Sequence, residues 1–159
     1  MLDFEAQRNV ERFLFREARL LDAGQFEAWL ALYEPDGIYW IPSKPGQTDP
    51  INVASIAYED HPILSIRVQR LIEARALVLT PMPRTTHVLG NVEVESLDES
   101  ALEATAAFIC VQYQANMQRI FSGQQMFRLR SVGDDFRILL KRTDLLNSDG
   151  TLPLITIPL

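Results

Sequence analysis

The sequence has few residues that bind metals and no long hydrophobic segment. It contains one cysteine and two histidines in 159 residues. A single cysteine excludes an internal disulfide, and its place inside a predicted strand, at Cys110, favours a small buried hydrophobic side chain. No apolar run approaches the length of about 18 residues that spans a membrane. Residues 1–5 lack the basic and apolar regions of a signal peptide, so we expect a cytoplasmic protein without a membrane segment.

Basic residues are in the minority. Fifteen Lys and Arg against 21 Asp and Glu give a net charge of −6. This sign disfavours nucleic acid and anionic membrane surfaces as partners. A hydrophobic content of 47% is ordinary for a globular protein, and the length suits a single domain over residues 1–159.

The most regular pattern lies between residues 101 and 147, where three long strands are predicted in series. From Ile109 the odd positions are apolar and the even positions are polar, which is the period of a strand with one buried face. The odd-numbered face is therefore expected to be the covered one. Ser122-Gly123 interrupts the second strand, and a glycine inside a strand pattern indicates a bulge.

The first half of the chain predicts helices that could cover this sheet. Apolar residues at three- and four-residue spacings predict helices over 3–22, 25–33 and 61–77, with short strands over 38–41 and 52–58. A long strand over 85–97 has an apolar face of Thr86, Val88, Val92 and Val94. Segregated helices and strands indicate an α+β protein with helices on one face of a curved antiparallel sheet.

Several segments of this chain match a known family in order and spacing. They include Tyr39-Trp40-Ile41-Pro42, Arg84-Thr85-Thr86-His87 and Arg128-Leu129-Arg130, together with 13–22, 29–33, 58–60, 88–92, 121–124 and 141–147. They resemble the small (β) subunit of aromatic-ring-hydroxylating dioxygenases. The departures are a shorter connection near Asn116 and the segment 124–127, which is more often charged in the family.

The resemblance implies a fold, a role and a set of partners. The fold would be the cone-shaped α+β barrel of nuclear transport factor two, scytalone dehydratase and ketosteroid isomerase. The role would be that of a non-catalytic structural subunit that stabilises an α subunit in an α₃β₃ assembly, with the β subunits as a trimer. The Rieske cluster and mononuclear iron of the reaction would belong to the α subunit.

The metal ligands in this chain are too few for those cofactors. A Rieske centre needs two Cys and two His, and a non-haem iron site needs two His and a carboxylate. The only histidines are His61 and His87, on a predicted helix and a predicted strand. We therefore expect no metal site, no cofactor and no catalytic residue in this chain.

A second function class stays open, a stand-alone isomerase, dehydratase or cyclase of the same fold that acts on a hydrophobic small molecule. It needs an acid or base inside the cone, for which Asp36, Tyr33, Tyr39 and His87 are the candidates. A structural, hydrogen-bonded His87 is the commoner case. A small-ligand binding module is a third class, without a feature in its favour. Co-purification with a larger iron protein would indicate an oxygenase subunit, whereas turnover of a substrate by this chain alone would indicate a stand-alone enzyme.

Charge is distributed unevenly along the chain. The first 36 residues are acidic overall and residues 117–146 are basic overall. Arg128 and Arg130 share a face of one strand, and Arg137 and Lys141 are predicted to share a face of the next. This basic face is either solvated or a subunit interface with acidic partners. The residues singled out as family-motif, pocket or interface candidates are Arg84, Thr85, His87, Asn91, Tyr39, Trp40, Arg128 and Arg130.

The C-terminal segment 151–159 carries no charged side chain. Disordered segments are usually polar and charged, so we expect this one to be docked. Pro153 and Pro158 lack amide donors, which limits the segment to a sheet edge or an extended path, on this subunit or on a neighbour.

Overall fold

The computed structural model describes residues 2–159. Three α-helices, one short 3₁₀ helix and six β-strands follow one another along them. Their bounds are α1 Phe4–Asp22, α2 Phe26–Leu30, β1 Tyr33–Ile41, β2 Ala57–Glu59, α3 His61–Glu73, 3₁₀ helix Leu77–Leu79, β3 Arg84–Ser96, β4 Ala101–Gln114, β5 Met117–Val132 and β6 Asp135–Leu145.

The six strands form one sheet in the order β2-β1-β6-β5-β4-β3. Every neighbouring pair is antiparallel except β1 with β6, which is parallel. The helices and the inner face of the sheet enclose one hydrophobic core. The predicted α+β fold with a curved sheet against N-terminal helices is confirmed.

Helix α1 begins and ends where its sequence signals lie. The Asp3 carboxylate accepts a hydrogen bond of 2.7 Å from the Ala6 amide, which satisfies a free donor of the first turn. Buried residues then recur at helical spacing: Val10, Phe13, Leu14, Glu17, Ala18 and Leu21. Gly24, just past the helix, has a φ of +69° that glycine adopts without strain.

Helix α3 is shorter than the predicted 61–77. Asp60 caps its first turn through the Ile63 amide, at 3.1 Å. The helix ends at Glu73 because Ala74 takes a left-handed conformation with φ 49°. Without a glycine at that position, nothing in the sequence marked the end.

The segment between α2 and α3 also differs from the prediction. Helix α2 ends at Leu30, and Tyr33 already begins β1, so the predicted helix 25–33 was too long and the predicted strand 38–41 too short. Strand β2 covers only Ala57–Glu59 rather than 52–58. The loop between is ordered by the buried Gln47, whose amide bonds the Asp49 and Val53 carbonyls, both at 3.2 Å.

Strand β3 changes its inward face at a β-bulge. The pairing with β4 shifts between Gly90 and Glu93, and Asn91 has a φ of +52°. Before the bulge His87 points inward and Val88 outward, whereas after it Val92 packs against the core. The predicted inward face was therefore right for Val92 and Val94 and wrong for Thr86 and Val88.

Strand β4 presents the opposite face to the one predicted. Phe108, Cys110 and Gln112 are buried against the core, whereas Ile109 and Tyr113 are exposed on the outer face. Alternation alone does not show which face the helices cover, and here both faces carry apolar residues.

Gly123 is not the bulge that its sequence context predicts. It pairs with Phe108 and with Leu145 in regular register. A Cβ atom at this position would lie 1.9 Å from the Asp144 carbonyl oxygen, so glycine is needed for the close approach of β5 and β6. The irregularity between these strands lies at Leu139 instead, which is left without a partner.

The C-terminal segment 151–159 is docked on its own subunit. Ile157 and Leu159 are 2% and 1% exposed, and the Leu159 amide donates a 3.0 Å hydrogen bond to the Tyr39 hydroxyl. The segment forms no strand and runs beside β1, β2 and α3. The prediction of a docked segment is confirmed, in its extended form.

Candidate functional site

A buried ion pair lies inside the cone. The Lys141 ammonium is 2.5 Å from Glu17 Oε1, and the two side chains are 0% and 1% exposed. Trp29 Nε1 donates a 2.8 Å hydrogen bond to the same carboxylate oxygen. The ammonium also lies 5.5 Å from the centre of the Phe127 ring, a favourable position for a cation. Each charge thus has a partner of opposite sign and a further contact from an aromatic side chain.

The strand pattern did not predict this pair. Lys141 was expected on the same strand face as Arg137, but the unpaired Leu139 turns Lys141 inward while Arg137 stays exposed. Glu17 sits among the apolar positions of α1. The position of Glu17 on the apolar face of α1 is the one feature of the sequence that indicates a buried, positively charged partner.

Two tyrosines border the same cluster. The rings of Tyr33 and Tyr39 meet the Trp29 ring edge-on, with centroids 5.1 and 6.0 Å away. Burial raises the pKa of both phenols above the ordinary value, and Glu17 and Glu59 act in the same direction. At Tyr39 the hydrogen bond from the Leu159 amide and the charge of Arg67 oppose this rise only in part.

Two cavities border the C-terminal segment. Leu152, Pro158 and the residues 153–155 line a cavity of about 310 Å³ together with Tyr39, Ile41 and Arg67. A wider groove of about 450 Å³ runs between the same segment and α3. The Arg67 guanidinium lining both is held by the Glu59 carboxylate through two hydrogen bonds.

His87 is paired with Asp22 at the end of α1. The Asp22 carboxylate accepts from the His87 amide at 2.8 Å and from Thr85 Oγ1 at 2.9 Å, and contacts His87 Nδ1 at 2.6 Å. Burial alone would raise the pKa of Asp22, but these hydrogen bonds and the charge of His87 lower it below its usual value. The pair fastens α1 to β3.

The four acid–base candidates do not converge. Tyr33 and Tyr39 lie beside Trp29, whereas His87 is bound to Asp22 and Asp36 is exposed on β1. Within residues 2–159, the buried His87 Nε2 has no hydrogen-bond partner. The four candidates therefore do not form one acid–base group.

Trp40 is buried on the outer face of the sheet, beneath the loop 42–56. Its Nε1 donates a 2.9 Å hydrogen bond to Ser55 Oγ, and the Arg142 guanidinium stacks 4.4 Å from its ring centre. Asp144 holds that guanidinium at 2.7 and 2.9 Å. This cluster fixes the loop against β1 and β6.

Arg84 and Asn91 lie at separate places on β3, whereas Arg128 and Arg130 share the outer face of β5, as predicted. Arg84 stacks on Tyr113 at 5.1 Å on the outer face, and Asn91 forms the bulge in β3. Arg128 pairs with Glu103 at 3.2 Å and Arg130 with Glu34 at 2.5 Å. These partly exposed pairs are worth about 0–1 kcal/mol each. The predicted residues therefore do not build one site.

Comparison with known families identifies the chain. A family profile described as "Ring hydroxylating beta subunit" matches residues 16–149. The chain belongs to this family.

Two curated relatives match over most of their length. This β subunit is 32% identical over 151 residues to the anthranilate 1,2-dioxygenase small subunit of Acinetobacter baylyi, which covers 92% of this chain and 93% of that one. It is 33% identical over 144 residues to the 2-halobenzoate 1,2-dioxygenase small subunit of Burkholderia cepacia, with 87% of both covered. Its function is that of the small subunit of a multicomponent aromatic-ring dioxygenase.

A solved structure agrees in fold over the whole chain. The β subunit of benzoate 1,2-dioxygenase from Burkholderia mallei superposes with a TM-score of 0.78 at 28% identity, and covers 99% of this chain and 98% of that one. A scytalone dehydratase-like protein from Novosphingobium aromaticivorans shares the fold alone, with a TM-score of 0.63 at 14% identity, over 87% of this chain and 82% of that one.

The β subunit does not offer the ligands of a Rieske cluster or of a mononuclear iron. Its one thiol, Cys110, is buried, and burial together with the nearby Asp22 raises its pKa to about 12, whereas metals bind the thiolate. Within residues 2–159, no group of three or more His, Cys, Asp or Glu is placed to hold a metal ion. No helix in the same range is long and apolar enough to cross a membrane.

Proposed function

We propose that this β subunit is a non-catalytic structural component that holds its α subunit in an α₃β₃ assembly, with the β subunits as a trimer. The observation that carries the proposal is the pairing of the titratable side chains inside the cone. Where a cone-shaped enzyme needs a free acid or base, Lys141 is paired with Glu17 and His87 with Asp22.

The cofactors of the reaction are then carried by the α subunit, as a Rieske cluster and a mononuclear iron. This assignment is supported by the poor fit of the β subunit's own residues to either group. The assembly is expected in the cytoplasm, where the single thiol needs no partner.

The assembled oxygenase is proposed to act on an aromatic carboxylic acid. The names of the three dioxygenase relatives given above contain anthranilate, 2-halobenzoate and benzoate, which are all aromatic carboxylates. Benzoate, anthranilate and unsubstituted benzene are therefore the informative substrates to compare.

The test is co-expression with the α subunit from the same genome. We expect the two chains to copurify at a 1:1 ratio, and the complex to oxygenate benzoate or anthranilate when electrons are supplied. The β subunit alone should not turn over either acid. Failure to copurify, or turnover of a substrate by the β subunit alone, would contradict the proposal.

A further inference from the structure

The cavity of about 310 Å³ between the C-terminal segment and strands β1 and β2 has two polar side chains in its lining, Tyr39 and Arg67. We call it the Tyr39 cavity. The rest of its lining is apolar and includes Ile41, Ile56, Leu152 and Leu154. Sites for small molecules commonly have this composition, since a few polar groups in an apolar pocket fix the orientation of the ligand.

The Tyr39 hydroxyl has a proton that it donates to no group of the protein. The side chain is 2% exposed, and its oxygen accepts the hydrogen bond from the Leu159 amide. Within residues 2–159, that bond is the one hydrogen bond described for this hydroxyl. A phenol can donate as well as accept, and a buried donor without an acceptor raises the free energy of the folded protein. An acceptor atom in the cavity would remove this cost.

Arg67 adds further donors to the cavity but no free charge. Its Nε donates a 2.8 Å hydrogen bond to Glu59 Oε2, and its Nη2 bonds Glu59 Oε1. None of the hydrogen bonds described within residues 2–159 uses its Nη1. Burial raises the pKa of Tyr39 and the charge of Arg67 opposes that rise, so the guanidinium lies near the hydroxyl.

The Glu59 carboxylate decides which kind of acceptor fits. It already compensates the charge of the Arg67 guanidinium, so an anion in the cavity would have no positive partner of its own. Taking an unpaired charge out of water is costly, whereas a neutral oxygen that accepts a hydrogen bond is not penalised in this way. The donors of the Tyr39 cavity are therefore suited to an uncharged acceptor.

We propose that the Tyr39 cavity binds a small, uncharged hydrophobic molecule with a carbonyl oxygen, such as an aryl ketone or ester. The carbonyl oxygen accepts from the Tyr39 hydroxyl, with Arg67 Nη1 as a second donor, and the hydrocarbon part packs against Ile56 and Leu154. A cavity of about 150 Å³ holds benzene, so about 310 Å³ has room for one ring with a short substituent. This site goes beyond the proposed function and does not depend on it.

The first experiment compares three single-ring probes of equal size on the purified β subunit. They are acetophenone, isopropylbenzene, which has a methyl group in place of the carbonyl oxygen, and benzoate, which is an anion. Ligand-detected NMR titrations should show that acetophenone binds and that the Kd of benzoate is at least tenfold higher. Tyr39→Phe should raise the Kd of acetophenone about fivefold, the effect of one lost hydrogen bond, and leave the Kd of isopropylbenzene unchanged.

A second variant locates the site without touching its donors. Ile56 is 37% exposed, so Ile56→Trp can be accommodated while its ring fills part of the Tyr39 cavity. It should raise the Kd of acetophenone and of isopropylbenzene at least tenfold. The control is Leu146→Trp at a side chain that is 75% exposed and lines neither cavity beside the C-terminal segment; both Kd values should stay as in the native chain. The melting temperature checks that each variant folds.

Four results would overturn the inference. Acetophenone that does not bind the native chain leaves no ligand site of the proposed kind. Benzoate that binds as tightly as acetophenone shows that the cavity does not discriminate against an anion. Equal effects of Tyr39→Phe on acetophenone and isopropylbenzene show that the hydroxyl does not donate to the carbonyl. Native affinities in Ile56→Trp place the ligand elsewhere, and this result decides the matter even if Tyr39→Phe does not fold.

Discussion

At the scale of single residues, Glu17 and Lys141 place two opposite charges where neither side chain reaches water. Removing two charges from water costs much of the free energy that their attraction returns. Replacing both side chains by apolar groups therefore often changes the stability of the protein little. Removing one partner is different, because the other charge is left buried without compensation.

Lys141→Met should therefore destabilise the β subunit by about 3–5 kcal/mol, measured by urea unfolding. The double variant Glu17→Leu/Lys141→Met should recover most of that loss, since it leaves no lone charge in the core. Arg128→Ala, on the neighbouring strand, is the control and should change the stability by less than about 1 kcal/mol. Equal stabilities of Lys141→Met and the native chain would show that the pair is not buried as described.

The Asp22–His87 contact predicts a pH dependence at the same scale. The pKa of Asp22 is lower in the folded chain than its unfolded value of about 3.9. Its contribution to stability is therefore fully present above that value and is lost as the pH falls through the lower, folded pKa. The difference in the free energy of unfolding between the native chain and Asp22→Asn should therefore become smaller below about pH 4. Urea unfolding at a series of pH values from 6 to 2 measures this difference.

Asp134→Asn, at an exposed turn, is the control for that series and should follow the native chain throughout. A gap between the native chain and Asp22→Asn that stays constant down to pH 2 would contradict a lowered pKa for Asp22.

At the scale of elements, the sequence identified most helices and strands but not the direction in which some strands face. The caps at Asp3 and Asp60 and the alternation of β4 were readable from local patterns. The inward orientation of Lys141 and the change of inward face along β3 could not be predicted from local patterns. Both depend on residues that have no partner in the neighbouring strand, Leu139 in β6 and the bulge near Asn91 in β3. A bulge leaves the composition of a strand unchanged and reverses its faces, so period-two reasoning fails beyond it.

Deleting residues 151–159 should lower the melting temperature of the β subunit by on the order of 10 °C. Ile157 and Leu159 are buried, and each is worth about 1.5–3 kcal/mol, while about 1 kcal/mol shifts the melting temperature of a domain of this size by about 2–4 °C. Leu154→Ala, at a side chain that is 60% exposed, should have little effect. An unchanged melting temperature and assembly after the deletion would show that the segment is not docked.

At the scale of the whole molecule, the sequence already indicated the family, because weak motifs occurred in order over nearly the whole chain. The candidate site was less predictable, since Tyr39, His87 and Arg128 come from motifs that lie in different parts of the fold. Their roles depend on partners distant in sequence, such as Asp22 and Glu103.

The purified β subunit should contain far less than one iron per chain by elemental analysis, and the complex with its α subunit should contain iron. The reason is the shortage of ligands, since Cys110 is buried and His87 is held by Asp22. About one iron per isolated chain, lost in His87→Ala, would show a metal site that the geometry does not predict.

The parallel pairing of β1 with β6 bears on how the protein is made. Tyr33 lies opposite Ile138 and Trp40 opposite Arg142, so the first strand joins the sheet through the last. While the ribosome is still translating β3 to β5, α1 lacks the partner of Glu17, which lies 124 residues further along the chain. Such distant contacts close late, so we expect the part of α1 around Glu17 to lack its cover until β6 has been synthesised, although β3 is available to α1 earlier.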